Sequence, residues 1–380
     1  MSLKAEVPTK NGQSANLNFV VRDPMNPPVT MRQIAERADV SIGTVSHVVN
    51  DTAKVREKLR QRVLDAIRSL GYQPSQLARG LRRNQTNIVV MIMPDITNPF
   101  FPAVVRGVED VAYKHSLRLV LCNTDNDPAK ETSYLNELRS YRPAGWLVIP
   151  AADSEMTAQL RSAAASGTPV VCIDRQPPGW KGDVVLVANE AGSHSATQHL
   201  LRMGHRQLAV ITGPLHLTNA VERLKGFKRA LAEAKVPIEP EYIQEAQFNR
   251  QSGYQAATRL LRMLPRPTAI FACNDLMAMG VLHAARELGL HCPEDVSIVG
   301  FDDLDFAEFT APALTSVHQP GYQLGTTAAR LLLDRIDGSQ APAQKITLPS
   351  ELKIRHSVAS LSPANPPSKP KRRAEAVALR

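Results

Sequence analysis

The chain has 380 residues, 43% of them hydrophobic and 21% charged, enough for two or three domains with cores of their own. No apolar run reaches the roughly 18–20 residues of a membrane span, and the composition is that of globular rather than fibrous or disordered material. The net charge of +9 is uneven, with +7 in residues 1–86, +4 in residues 361–380 and −2 in the long middle. That pattern suits a phosphate-binding end on a body that binds something small.

Residues 1–28 are polar, rich in Asn and Pro and without period, and are expected to be a disordered leader without the apolar core of an export signal. The stretch VTMRQIAERADVSIGTVSHVVN, from Val29 to Asn50, then carries a helix–turn–helix pattern. Thr30 and Gln33 have capping-box spacing, and Met31, Ile34, Ala35 and Ala38 share one helical face. Asp39 and Val40 break the helix, and Ser41 is a natural N-cap for a second one that turns Val45, Val48 and Val49 inward. Its outward residues, Ile42, Gly43, Thr44, Ser46, His47 and Asn50, are mostly small or polar, as a helix lying in a major groove requires. Leu59, Val63, Ala66, Ile67 and Leu70 stripe a third helix, which Gly71 and Pro74 end. Residues 29–73 thus read as an all-α DNA-binding head.

The segment VSIGTVSHVVND resembles the signature of the lactose repressor–galactose repressor (LacI/GalR) family of bacterial transcription regulators. GYQPSQLARGLRR, residues 71–83, resembles that family's hinge, and the resemblance runs from Thr30 to about Ser357. It implies that residues 74–86 form a hinge helix and linker. A helix of about two turns is too short to hold alone in water, and in the family it forms on operator DNA. The implied DNA contacts are Thr30, Ser41, Ile42, Gly43, Thr44, Ser46, His47 and Asn50 in the head, with Arg79, Leu81 and Arg82 in the hinge. Leu81 would be the apolar wedge in the minor groove. Ile42 and Gly43 fill the two positions that the family varies to choose its operator. His47 departs from lactose- and galactose-type members, which usually carry Arg there, and matches purine-repressor-type members.

From Asn87 onward strands and helices alternate, the mark of parallel α/β layers. Strands are expected at NIVVMIMP, RLVLCNT, GWLVIP, TPVVCID, near Val184, at LAVITG, around 242–247, at TAIFAC and at VSIVGFD, with two late ones at about 344–347 and 351–356. Two doubly wound units imply two lobes with a cleft between them. The resemblance implies a type I periplasmic-binding-protein-like effector and dimerisation domain over 87–358. Its lobes would be about 87–175 with 318–340, and about 176–317 with 341–358, the chain crossing near 175, 318 and 341. Residues 359–380 are Pro-rich and basic, expected to be disordered, and have no leucine heptad for a further coiled coil.

Ligands of open α/β sheets bind beyond the carboxyl ends of the strands. Asp95, Asn98 and Phe100 follow the first strand, Asp174 and Arg175 follow TPVVCID, and Arg223 comes after LAVITG. Phe248, Asn274, Asp275 and Asp302 follow later strands, and Asp275 is expected to cap the helix at 275–288. Leu217 and Asn219 occupy the loop before Arg223. The effector set is therefore Asp95, Phe100, Asp174, Asn219, Arg223, Phe248, Asn274 and Asp302. Carboxylates, amides, a guanidinium and two aromatic faces suit a small polyhydroxylated ligand, and the resemblance implies a sugar or sugar acid.

No GxxxxGK, HExxH, GxSxG or GxGxxG motif is present, and no enzyme, metal or cofactor is expected. His194 and His199 lie five apart on a helix, on different faces. Cys122, Cys172, Cys273 and Cys292 have no paired spacing and read as reduced thiols of a cytoplasmic protein. The expectation is a homodimeric repressor that binds a palindromic operator duplex under effector control. The rivals are a solute-binding protein without a DNA role and a purine-type, corepressor-dependent repressor.

Overall fold

The computed structural model describes residues 29–50, 53–72, 86–151 and 154–361. The chain divides into two compact units between Asn84 and Gln85. The leader 1–28, the hinge residues Arg79, Leu81 and Arg82, and the tail beyond Leu361 lie outside the described residues.

The first unit holds α1 (Met31–Ala38), α2 (Ile42–Asn50) and α3 (Glu57–Leu70), and no strand among the described residues. The capping box forms as its spacing predicts. Gln33 N donates to Thr30 Oγ1 at 3.4 Å, and Thr30 N donates to Gln33 Oε1 at 2.8 Å. Asp39 ends α1 in the left-handed region at φ 50°, and Gly71 ends α3 at φ 64°. Ile34, Ala35, Ala38, Val45, Val48, Val63 and Ala66 form the core. Seven small or medium side chains make a modest core, so the caps matter to this unit.

The second unit carries two six-stranded sheets. The first contains β1 (Ile88–Met93), β2 (Arg118–Asn123), β3 (Gly145–Val148), β4 (Val170–Ile173), β5 (Asp183–Val187) and β11 (Lys345–Leu348), in the order β11-β5-β4-β3-β1-β2 and all parallel. The second contains β6 (Leu208–Thr212), β7 (Ile243–Glu245), β8 (Ala269–Ala272), β9 (Ser297–Asp302), β10 (Thr315–His318) and β12 (Glu351–Lys353). Its order is β12-β10-β9-β8-β6-β7, and only β12 runs antiparallel, against β10.

The helices are α4 (Phe100–Lys114), α5 (Pro128–Arg139), α6 (Ser154–Ala165), α7 (Asn189–Arg202), α8 (Thr218–Glu233), α9 (Arg250–Leu261), α10 (Asp275–Glu287) and α11 (Gly321–Ile336). Helix α11 returns to the first lobe and lies against α4 at glycine contacts. A Cβ on Gly107 would sit 2.2 Å from the Tyr322 carbonyl oxygen, and one on Gly325 would sit 2.0 Å from that of Val104. Backbones that close leave no room for a side chain. Arg335, near the end of α11, grips Asp183 on β5 at 2.7 and 2.9 Å.

These sheets correct two of the expected crossings. β5 pairs with β4 and β11, so the first crossing follows Val187 rather than residue 175. β11 also belongs to the first sheet, so the third lies between Leu348 and Glu351 rather than near 341. Strand–helix alternation marks where strands are and does not say which sheet each one joins. The middle crossing comes after His318, as expected, but β10 just before it had not been recognised.

Candidate effector cleft and DNA-reading surface

The eight residues expected at the effector site all line one cleft between the lobes, of about 440 Å³ including its mouth. Asp95, Phe100 and Asp174 come from the first lobe, and Asn219, Arg223, Phe248, Asn274 and Asp302 from the second. Asn98, Phe101, Asn126, Arg175, Gln247 and Gln319 complete the lining.

On the second-lobe side, the buried Arg223 is heavily engaged. Its Nε donates to Asn189 Oδ1 at 2.8 Å and its Nη1 to the Cys273 carbonyl at 2.5 Å. The guanidinium lies 3.9 Å from the Phe301 ring centre and 5.7 Å from that of Phe248. Its Nη1 is 3.6 Å from Asp302 Oδ1, which accepts a 2.6 Å bond from Gln319 Nε2. Burial pushes the Asp302 carboxyl up to about 7, against the opposing pull of Arg223 and Gln319.

On the first-lobe side, Asp174 Oδ2 accepts from Asn219 Nδ2 at 3.0 Å and lies 3.6 Å from Arg175 Nε. Arg175 Nη1 donates to Asn126 Oδ1 at 3.1 Å and to the Pro150 carbonyl at 3.3 Å. Burial raises the Asp174 carboxyl and lowers the Arg175 guanidinium. Asp174 Oδ1, Arg175 Nε and Gln319 Oε1 are buried with no hydrogen-bond partner. Such atoms cost about 1–3 kcal/mol each when left unpaired, and three of them lining one cleft are what a polar ligand satisfies. Asp174, Phe248 and Asp302 stand at φ 63°, 54° and 109°, a clustering of backbone strain at one site.

Several side chains have structural duties as well. Asp95 Oδ1 accepts from Thr97 N at 2.8 Å and Thr97 Oγ1 at 2.6 Å, closing the turn into α4, whose first residue, Phe100, packs edge-on against Phe101. Asn274, not Asp275, caps α10, its Oδ1 accepting from Met277 N at 2.9 Å while its Nδ2 holds the Phe248 carbonyl at 3.0 Å. Asp275 is fully buried and braces the loop after β9, accepting from Leu304 N at 2.8 Å and Ser316 Oγ at 2.6 Å. Leu217 is the N-cap residue of α8 and is buried, so it and Asn219 belong to the helix start rather than to a free loop.

Phe101, Asn126, Gln247 and Gln319 escaped the sequence reading. Asn126, Gln247 and Gln319 lie just beyond β2, β7 and β10, so the strand-end rule would have found each once those ends were placed. Phe101 adjoins Phe100 and carries no separate signal.

In the head, Ser41 Oγ accepts from Thr44 N at 3.1 Å, capping α2, and bonds the Thr44 hydroxyl at 2.9 Å. Ser41, Ile42, Gly43 and His47 are exposed, Ile42 by 51%, while Thr44 and Ser46 are half-buried. A Cβ at Gly43 would meet only Ser41 Oγ, at 3.6 Å. Thr30 is exposed, with its hydroxyl used in the capping box. Asn50 ends α2, and its side chain lies outside what is described.

Residues 30–75 match the family described as bacterial regulatory proteins, lacI family, and residues 197–358 match a periplasmic binding protein-like domain. The HTH-type transcriptional repressor PurR of Haemophilus influenzae (strain PittEE) is 39% identical over 335 residues, covering 87% of this chain and 99% of that one. A transcriptional regulator CelR–cellobiose complex is 31% identical, with a TM-score of 0.67 over 87% of this chain and 99% of its own. The lac repressor dimer bound to operator and the anti-inducer ONPF is 28% identical, with a TM-score of 0.78 over 88% and 100%. The chain belongs to the lacI family of bacterial regulatory proteins and is an effector-regulated, DNA-binding transcriptional regulator.

Proposed function

We propose that this regulator is a cytoplasmic repressor whose operator affinity is set by a small, uncharged, polyhydroxylated effector, a sugar or polyol, in the cleft. The observation that carries this reading is the charge balance of the lining. Both guanidiniums already face a carboxylate at 3.6 Å, Arg175 that of Asp174 and Arg223 that of Asp302, and Asp95 adds a third carboxylate. Each guanidinium of the lining thus already has an acidic side chain beside it, whereas ligand hydroxyls both donate to and accept from the amides and carboxyls around them. That argument narrows the sugar-or-sugar-acid expectation to its neutral part. Phe100 and Phe248 supply faces for the apolar side of a sugar ring, and the cellobiose held by CelR supports the same class.

The operator is proposed to be a palindromic duplex read by two copies of the head, in line with the dimeric lac repressor on its operator. Ile42 and His47 would meet base edges, Gly43 would let the duplex approach without a side-chain contact, and Thr44, Ser46 and Asn50 would contact phosphates or base edges. Arg79, Leu81 and Arg82 would form the hinge contacts, with Leu81 as the wedge. A Leu81→Ala chain that kept full operator affinity would remove that assignment.

The effector test is thermal unfolding of the full chain against neutral sugars, sugar acids, phosphosugars and nucleobases. A ligand at a hundred times its Kd adds roughly 2.7 kcal/mol, a readily seen rise in midpoint. The expected hit is neutral and is lost in Asp302→Asn and weakened in Phe248→Leu; a sugar acid or phosphosugar as the sole hit would overturn the charge argument. A nucleobase corepressor is the second reading, favoured by His47 and by the similarity to PurR.

A further inference from the structure

A second cavity lies beside the effector cleft, of about 910 Å³ including its mouth against 440 Å³ for the cleft. It is bounded by the start of α4, the loop that follows β9 and the segment that leads from β10 into α11. Phe100, Asp302 and Gln319 belong to both linings and so form the wall between the two spaces. The loop after β9 is fastened by its backbone, Asp303 N donating to Ser316 Oγ at 3.1 Å and Leu304 N to Asp275 Oδ2 at 2.8 Å. The Tyr322 hydroxyl donates to Asp110 Oδ2 on α4 at 3.0 Å, which fixes a ring that is 49% exposed. The cavity is therefore built into the fold, as small-molecule sites generally are.

Its chemistry differs from that of the cleft. The carboxylates of Asp302, Asp303 and Asp305 line it with the rings of Phe100, Phe306 and Tyr322, and no Lys or Arg does among the described residues. Asp302 has Arg223 at 3.6 Å, a residue of the cleft. Asp303 is met by Arg355 Nη2 at 2.7 Å and by His318 Nδ1 at 3.1 Å. The exposed Asp305 has no ion-pair partner among the described residues. Gln319, only 3% exposed, spends its Nε2 on Asp302 and leaves Oε1 without a hydrogen-bond partner. The lining thus offers a spare negative charge, a spare amide acceptor and aromatic surface.

We propose that this cavity is a second small-molecule site, taking a primary amine with an apolar body, its ammonium toward the carboxylates and Gln319 and its carbons against Phe306 and Tyr322. A primary ammonium has three N–H donors and no acceptor, so it matches a wall of acceptors. Its bonds to carboxylates are charge-assisted, which a neutral hydroxyl cannot equal and an anion would reverse. The ring faces add a further attraction for the cation. The site does not depend on what occupies the effector cleft.

The test is a titration of the full chain at pH 8 and low salt with phenethylamine and with its uncharged counterpart, phenethyl alcohol, followed by calorimetry. Phenethylamine is expected to bind saturably, and the alcohol at least about tenfold more weakly. Asp305→Asn removes the spare charge at an exposed position and is expected to weaken the amine about threefold or more. Phe306→Leu keeps an apolar side chain but removes a ring face, for about a fivefold loss. Phe248 lines the effector cleft and not this cavity, so Phe248→Leu should leave amine affinity within about twofold of the parent. No saturable binding by the parent, or equal binding of amine and alcohol, overturns the site. So does an amine weakened by Phe248→Leu, or one indifferent to Asp305→Asn or Phe306→Leu, because it then sits elsewhere.

Discussion

Gln319 donates a 2.6 Å hydrogen bond to Asp302, tying a cleft carboxylate to the segment by which the chain returns to the first lobe. Asp302 is buried, and its carboxyl is raised from 3.8 to about 7 by that burial. The folded chain thus holds this proton more tightly than the unfolded chain. The associated stability is full below about pH 4 and is lost as pH rises through about 7. Urea unfolding of the parent and of Asp302→Asn, which cannot titrate there, isolates the effect. The parent is expected to lose stability relative to the variant between those limits, and parallel curves would contradict the assignment.

Arg223 is held by Asn189, Cys273, Asp302 and the Phe301 ring. Arg223→Ala leaves Asp302 buried without its cation and is expected to cost about 3–5 kcal/mol in urea unfolding. Arg223→Lys keeps the charge but loses the planar fork, and should recover only part of the loss.

Asn274 joins helix capping to cleft shape, since one side chain caps α10 and holds Phe248. Asn274→Asp keeps the cap and turns the Phe248 contact into two facing acceptors. Its unfolding midpoint is expected to stay close to the parent's while affinity for the hit from the ligand panel falls. Asn274→Ala should lose the cap too, at about 1 kcal/mol.

Two head substitutions should separate folding from reading. Thr30→Ala removes the capping box and is expected to lower the head's stability by about 1 kcal/mol. Gly43→Ala adds a methyl where only Ser41 Oγ stands, at 3.6 Å. It should leave the midpoint unchanged while altering which duplex is selected from a random pool, and an unaltered selection would place residue 43 away from the bases.

The sequence reading reached furthest where the signal was local. The capping box at Thr30, the αL ending at Gly71 and the valine stripe of α2 are short-range chemistry, and all three appear in the fold. The strand-end rule gathered Asp95, Arg223 and Asp302 from over two hundred residues into one cleft. What it missed depended on non-local pairing or on register. TSVH is short and has one apolar residue in four, so β10 went unseen, and with it Gln319 at its exit. DVVLV is a clear strand, but its place between β4 and β11 is decided by neighbours far away in the chain. At Asn274-Asp275 either residue could cap a helix, and only the extended backbone of Asn274, at φ −160°, selects it.

Pro349 and Ser350 are all that separate β11, at the edge of the first sheet, from β12, at the edge of the second. During synthesis this ordering has a temporal effect. At roughly 5–20 residues per second, more than ten seconds pass between the emergence of β1 and that of β11. Once made, β5 and later β10 each wait for the strand that will cover them. The head finishes early, but neither sheet can close until almost the whole chain has left the ribosome. A prematurely terminated product would then carry a DNA-reading head on two incomplete lobes, a natural substrate for proteolysis rather than an unregulated repressor.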